Sequence, residues 1–150
     1  MNNNLGFHIA DAARLMRKRF DAAARRFNVT GAQWRVLMAT DLHPGINQGQ
    51  LAERLDVEPI TTCRMVDRLV QAGLMERRPN PADRRAWNLH VTDDAQPLIG
   101  TVRDIGADVV GQALAGFSQE EKDLLCSMLE RVRTNLLDDQ AFSSATARHG

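Results

Sequence analysis

The sequence has no tyrosine, only two cysteines and no Cys-x-x-Cys pair. Cys63 and Cys126 stand far apart, so two free thiols are expected rather than a disulfide framework. The four histidines, His8, His43, His90 and His149, are scattered, with neither an i, i+4 pair nor a cysteine alongside, and no metal site is expected. No apolar run approaches the roughly 20 residues that cross a bilayer. The opening MNNNLGFHIADAARLMRKRF lacks the continuous apolar segment of a secretory signal, which points to a cytoplasmic protein without a membrane partner. A Gly-rich phosphate loop is missing too, and no local motif assembles a nucleophile, a base and an orienting group. Neither an enzyme nor a cofactor is expected.

Net charge is absent as well, since 19 Lys and Arg balance 19 Asp and Glu. The balance hides an asymmetry: residues 1–92 carry 14 basic against 9 acidic side chains (+5), and residues 93–150 carry 5 against 10 (−5). Basic surface on one part suits a polyanion, although ordinary solvated charge would give the same counts. With 43% hydrophobic residues, a chain of 150 residues has enough apolar material for one domain with a core.

Over residues 5–27 the apolar positions Leu5, Ile9, Ala12, Met16, Phe20, Ala23 and Phe27 recur every three or four places, the stripe of a long helix. At 1.5 Å per residue such a rod is about 35 Å long, more than a domain of this size can cover alone. Arg14, Lys18 and Arg25 fall on its wet face, and Arg17 flanks the stripe. Thr30 with Gln33 makes a capping-box pattern, opening a second helix at Gly31 that carries Trp34, Leu37 and Met38 and stops at His43, Pro44 and Gly45. Asn47 with Gln50 repeats the pattern ahead of Leu51, Ala52 and Leu55. Asp56, Val57 and Glu58 form a turn, and Pro59 suits the first turn of the next helix.

That helix has Val66, Leu69 and Val70 to pack and leaves Thr61, Arg64 and Arg68 on other faces, with Gly73 to end it. Residues 74–78 and 87–91 read as extended; in the second run Trp87, Leu89 and Val91 alternate with Asn88 and His90. Pro79, Asn80, Pro81 and Asp83 between them are turn formers, which gives a two-stranded ribbon with Arg77, Arg78, Arg84 and Arg85 around its tip. Two helices joined by a short turn and followed by a basic hairpin describe a winged helix-turn-helix. The same module also serves as a protein–protein scaffold, but a scaffold does not need arginines on both the free helix face and the wing tip.

Thr92, followed by Asp93 and Asp94, reads as an N-cap with an acidic first turn. The helix after it carries Leu98, Val102, Ile105, Val109 and Leu114. Pro97, a turn inside its start, together with Gly100, Gly106, Gly111 and Gly116, predicts a bent or adaptable rod. Ser118 with Glu121 caps a last helix striped by Leu125, Met128, Leu129, Val132 and Leu136, and residues 141–150 have little to bury and are expected to fray.

The runs TGAQWRVLM, QLAERLDVEPITTCRMVDRLVQAGLMERR and above all NPADRRAWNLHVT resemble the MarR family of bacterial transcription regulators, the SlyA-like branch in particular. That family's wing pattern is Asp, any residue, Arg, five residues, then an aliphatic residue and Thr. Asp83, Arg85, Val91 and Thr92 meet it, with valine where leucine is commoner. The resemblance is detailed over 30–92 and covers the flanking helices in outline. It implies a mainly α fold with a small β-wing: a winged helix-turn-helix DNA-binding region at 30–92, helical dimerisation arms at 1–29 and 93–140, and a flexible tail at 141–150. It also implies a homodimer, whose first, fifth and sixth helices interdigitate, on double-stranded DNA with a pseudo-palindromic operator. A closed helical monomer is the alternative.

Placed in a major groove, the helix from Pro59 would offer Thr61, Thr62, Cys63 and Arg64 near its start, the end that meets base edges in this motif. Arg64 suits guanine O6 and N7, Arg68 a phosphate, and Asn47 and Gln48 at a helix N-terminus a phosphate as well. The resemblance puts Arg85 in the minor groove, beside Arg84, with Asp83 holding it; Asp83 as a plain turn cap is the alternative. It further implies a repressor relieved by a small aromatic or phenolic anion bound near the first and second helices. Arg17 and Trp34 are the candidates there, against the plain readings of a surface arginine and a core tryptophan. Cys63, beside Arg64, is a candidate redox site, against a half-buried packing residue. The family's thiol sensors use a first-helix cysteine with tyrosine partners, and this chain has neither.

Overall fold

The computed structural model describes residues 4–137; the tail expected at 141–150 and the last three residues of the C-terminal arm lie outside them. The chain divides into two units, one up to Val110 and one from Gly111 on. The elements are α1 (Leu5–Ala24), α2 (Gly31–Leu42), β1 (Ile46–Asn47), α3 (Gln48–Leu55), α4 (Pro59–Gln71), β2 (Met75–Pro79), β3 (Trp87–Val91), α5 (Gln96–Ala113) and α6 (Gln119–Leu137). Among the described residues no helix is long and apolar enough to cross a membrane.

Short-range chemistry sets most of these boundaries. The Thr30 hydroxyl accepts from the Gln33 amide at 3.2 Å while Gln33 Oε1 accepts from the Thr30 amide at 2.9 Å, so two amides without helical partners are satisfied reciprocally. Asn47 and Gln50 repeat the exchange at 2.8 and 3.1 Å to open α3. Asp56, left-handed at φ +51°, closes α3, and Pro59 takes the first position of α4. Gly73, at φ +75°, ends α4. The Leu74 amide reaches the Leu69 carbonyl at 2.9 Å and the Gly73 amide the Val70 carbonyl at 3.0 Å, the paired bonds of a Schellman cap. Thr30→Ala should remove one of the two N-terminal bonds of α2 and cost about 0.5–2 kcal/mol, read as a lower urea midpoint at unchanged slope.

The expected two-stranded ribbon is a three-stranded antiparallel sheet in the order β1-β3-β2. The added strand pairs Ile46 with Leu89 and Asn47 with Asn88. Two residues are too few to show a period, and the strand exists only because β3 lies beside it. Its effect is to tie the start of α3 to the base of the wing.

The main core cluster gathers Val36 and Leu37 of α2, Ile46, Leu51, Val66 and Leu69 of α4, Met75, Leu89, Ala95 and Ile99. A second joins Phe20 and Ala24 of α1 to Val29, Val102, Ile105 and Val109, with Trp34 and Met38 packed against it. In α1 only Phe20 and Ala24 are buried. Phe27, assigned to the stripe from sequence, is exposed because residues Arg25–Phe27 tighten into a 3-10 turn and shift the phase of the row.

Three details after the wing differ from expectation. The Thr92 side chain makes no cap; its hydroxyl donates to the Gly73 carbonyl at 2.6 Å, fastening the end of β3 to the end of α4. A 3-10 turn at Asp93–Ala95 then precedes α5, so Pro97 is the second residue of that helix and its missing N–H is one that has no helical partner in any case. Ile99 rather than Leu98 leads the buried row with Val102, Ile105 and Val109, and Leu114 falls beyond the helix end.

In the second unit the Ser118 and Glu121 capping box forms as expected, and α6 follows with no buried residue. Leu124, Met128, Leu129, Val132, Leu136 and Leu137 are exposed along it. The hydrogen bond from Arg133 holds the Glu130 carboxyl below its usual range, but this pair is fully exposed and is a surface feature.

Candidate nucleic-acid interface

The geometry of α4 follows from which of its side chains dock. Thr62, Val66 and Leu69 are buried, which fixes the rotation of the helix about its axis. At about 100° per residue, Ile60 and Arg64 then emerge opposite that row, Thr61 and Arg68 on one flank, and Cys63 and Asp67 on the other. Ile60, Thr61, Arg64 and Arg68 are exposed, and Cys63 and Asp67 are half-buried. Thr62, named from sequence as a groove residue, is misplaced by that reading. It is fully buried and its hydroxyl donates to the Glu58 carbonyl at 3.2 Å. Its place four residues before Val66 was the available signal.

The wing leans on the second flank. In the β2–β3 register Arg77 lies opposite the buried Leu89, so it faces the helices instead of crowding the tip as the sequence suggested. Its guanidinium donates to Asp67 of α4 and, at 3.4 Å, to Gln48 Oε1 of α3. One arginine thus links β2, α4 and α3, and charge-assisted bonds of this kind are stronger than neutral ones. Arg78 is paired with Glu76. The tip proper carries Arg84 and Arg85, both exposed.

Asp83 works on the backbone. Its Oδ1 accepts from the Arg85 amide at 2.9 Å and its carbonyl from the Ala86 amide at 3.1 Å, while Asn80 Oδ1 accepts from the Ala82 amide at 2.8 Å. The contact expected with the Arg85 guanidinium is replaced by one that shapes the turn carrying it, the role a carboxylate takes two residues before an amide. Asn47 is engaged in capping α3, and Gln48 in the contact with Arg77.

Of the remaining candidates, Trp34 stacks against Phe20 with ring centroids 4.1 Å apart and donates from Nε1 to Asp21 Oδ1 at 2.8 Å, which joins α2 to α1. Arg17 is exposed on α1, one turn before Asp21. Cys63 donates weakly to Asp67 Oδ2 at 3.9 Å. A half-buried thiol beside a carboxylate is not the electropositive, open setting that reactive cysteines occupy. Both cysteines are free, and among the described residues no three His, Cys, Asp or Glu side chains could hold a metal ion. Sequence reasoning missed Asp67 and set Arg77 at the wing tip, because their meeting depends on strand register. It also missed Ile60, and it read Trp87 in one row with Leu89 and Val91; their exposure of 62% and 51% appears only once the helix and wing are docked.

A three-helix core, a helix with a free basic face and an antiparallel wing define a winged helix-turn-helix protein. A sequence model of the MarR family matches residues 27–86. The fold is similar to wild-type apo MarR from E. coli, 26% identical with a TM-score of 0.75 over 85% of this chain and 95% of that one. It is similar to a MarR mutant from E. coli in complex with operator DNA, at 25% identity and a TM-score of 0.72 over 87% and 94% of the two chains. It also matches the fold of the transcriptional regulator SlyA, at 23% identity and a TM-score of 0.78 over 94% and 99%. Residues 27–86 thus match the MarR family, a family of transcription regulators, and the fold is similar to that of MarR.

Proposed function

We propose that the protein binds double-stranded DNA as a homodimer, recognises a pseudo-palindromic operator and represses transcription until a small aromatic or phenolic anion releases it. The observation that carries this reading is the joint exposure of Arg64 and Arg68 on α4 and of Arg84 and Arg85 at the wing tip. In the bound state α4 lies in the major groove. Arg64, at the middle of its free face, takes guanine, while Thr61 and Arg68 on the flank meet the phosphate backbone. The start of α3, with Asn47 and Gln48, meets a phosphate. Arg85 enters a narrow A·T-rich minor groove with Arg84 alongside, on a loop that Asp83 shapes.

Residues 30–92 form the DNA-binding region and residues 1–29 and 93–140 the dimerisation region. Supporting the second assignment, α1 exposes Leu5, Phe7, Ile9, Leu15 and Met16, and α6 its own apolar row, more than solvent-facing helices usually carry. A second copy covers them. The anion binds near α1 and α2, with Arg17 and Trp34 as candidate contacts, and lowers DNA affinity by the ratio of its affinities for the two states.

The test is a salt titration of binding to a duplex enriched from a randomised pool, with the solution mass of the free protein measured alongside. Arg68→Ala should weaken binding evenly across sequences and make the salt slope shallower by about two, as expected when one phosphate per half-site is no longer neutralised. Arg85→Ala should weaken binding most where the operator is A·T-rich. A protein that runs as single chains, or an Arg85→Ala variant that binds as tightly as the parent, would overturn the reading.

A further inference from the structure

We infer that Ile60 is a specificity-determining residue that contacts the 5-methyl group of a thymine in the major groove, close to the guanine taken by Arg64. The inference rests on the DNA-binding reading above and names what that face reads.

Single exposed aliphatic residues are common on protein surfaces, so exposure alone says little. Position says more. Ile60 is 62% exposed, is the second residue of α4 and belongs to neither core cluster. At about 100° per residue it lies roughly 160° from the buried Thr62 and within about 40° of Arg64, in the middle of the free face rather than on a flank. Side chains of a helix lean toward its N-terminus, which sets Ile60 ahead of Arg64 at the end that enters a groove first. The first turn is held firmly: Pro59 fixes its backbone, and the buried Thr62 ties back to the Glu58 carbonyl.

An isoleucine at that point has no polar atom to offer a phosphate or a base edge. The apolar feature that a base pair presents in the major groove is the thymine methyl group. A β-branched side chain has few rotamers to lose on contact, so it acts as a stiff apolar tooth beside a long cation. Residues four apart on a helix have their Cβ atoms about 5–6 Å apart, and base pairs are stacked about 3.4 Å apart. The thymine is therefore placed one or two base pairs from the guanine.

The experiment uses the full-length protein and a duplex it enriches from a randomised pool, resynthesised with each thymine replaced in turn by deoxyuridine, which removes only the 5-methyl group. One position per half-site should lose about fourfold in affinity for the parent, the factor that burial of one methyl group contributes. Ile60→Ala should bind the thymine and uracil duplexes alike at that position while keeping its sensitivity to changes at the guanine. The parent and Ile60→Ala responding identically to every replacement, or the parent responding to none, would overturn the assignment. Enrichment of no duplex at all would overturn the DNA-binding reading, and Ile60 with it.

Discussion

Arg64→Ala is expected to cut affinity for a selected duplex by roughly tenfold to a hundredfold per half-site while changing binding to random-sequence DNA only a few fold. The guanidinium can donate two bonds to guanine O6 and N7, and it stands on the face of α4 opposite the buried row, so its removal leaves the core untouched. Arg64→Lys should recover the non-specific part but not the discrimination, because an ammonium is a point charge without the fork. Anisotropy titrations on selected and random duplexes at one salt concentration check both variants. Equal losses on the two duplexes would move Arg64 from base reading to backbone contact.

Leu69→Ala should have the largest effect on stability, about 2–5 kcal/mol, out of the roughly 5–15 kcal/mol that hold a domain of this kind together. Leu69 is fully buried in the cluster that joins α2, α4, β2 and β3, where truncation leaves a cavity. The melting temperature should fall by about 5–15 °C when compared at a fixed protein concentration, since dimerisation would make it depend on concentration. The same change loosens the docking that sets the rotation of α4. Operator binding at a temperature where the variant is still folded should therefore weaken as well, although Leu69 touches no DNA. A loss below 1 kcal/mol would mean that the core around α4 repacks freely and that burial does not hold the helix at one rotation.

Much of the fold was legible locally. The capping pairs Thr30 with Gln33, Asn47 with Gln50 and Ser118 with Glu121 all form, and Gly73 ends α4 in the left-handed conformation that its position suggested. The site was legible in part. Arg64, Arg68, Arg84 and Arg85 are exposed on the expected elements. Thr62 is internal, Asp83 contacts an amide rather than a guanidinium, and Arg77 faces the helices. Each of these three turns on a few ångströms or about 100° of helix rotation, which residue type alone does not encode.

Caps, helix stops and the alternation of a strand depend on groups within one or two turns of each other. Residue identity and spacing are therefore enough to settle them, and with them the order of helices and wing. The ion pair of Asp67 with Arg77, the bond from Thr92 to Gly73 and the pairing of Ile46 with Leu89 join segments distant along the chain. Those pairings, and the choice of Ile60 and Arg64 as the outward face of α4, exist only after the apolar clusters have closed, because burial of Val66 and Leu69 is what fixes the helix in place.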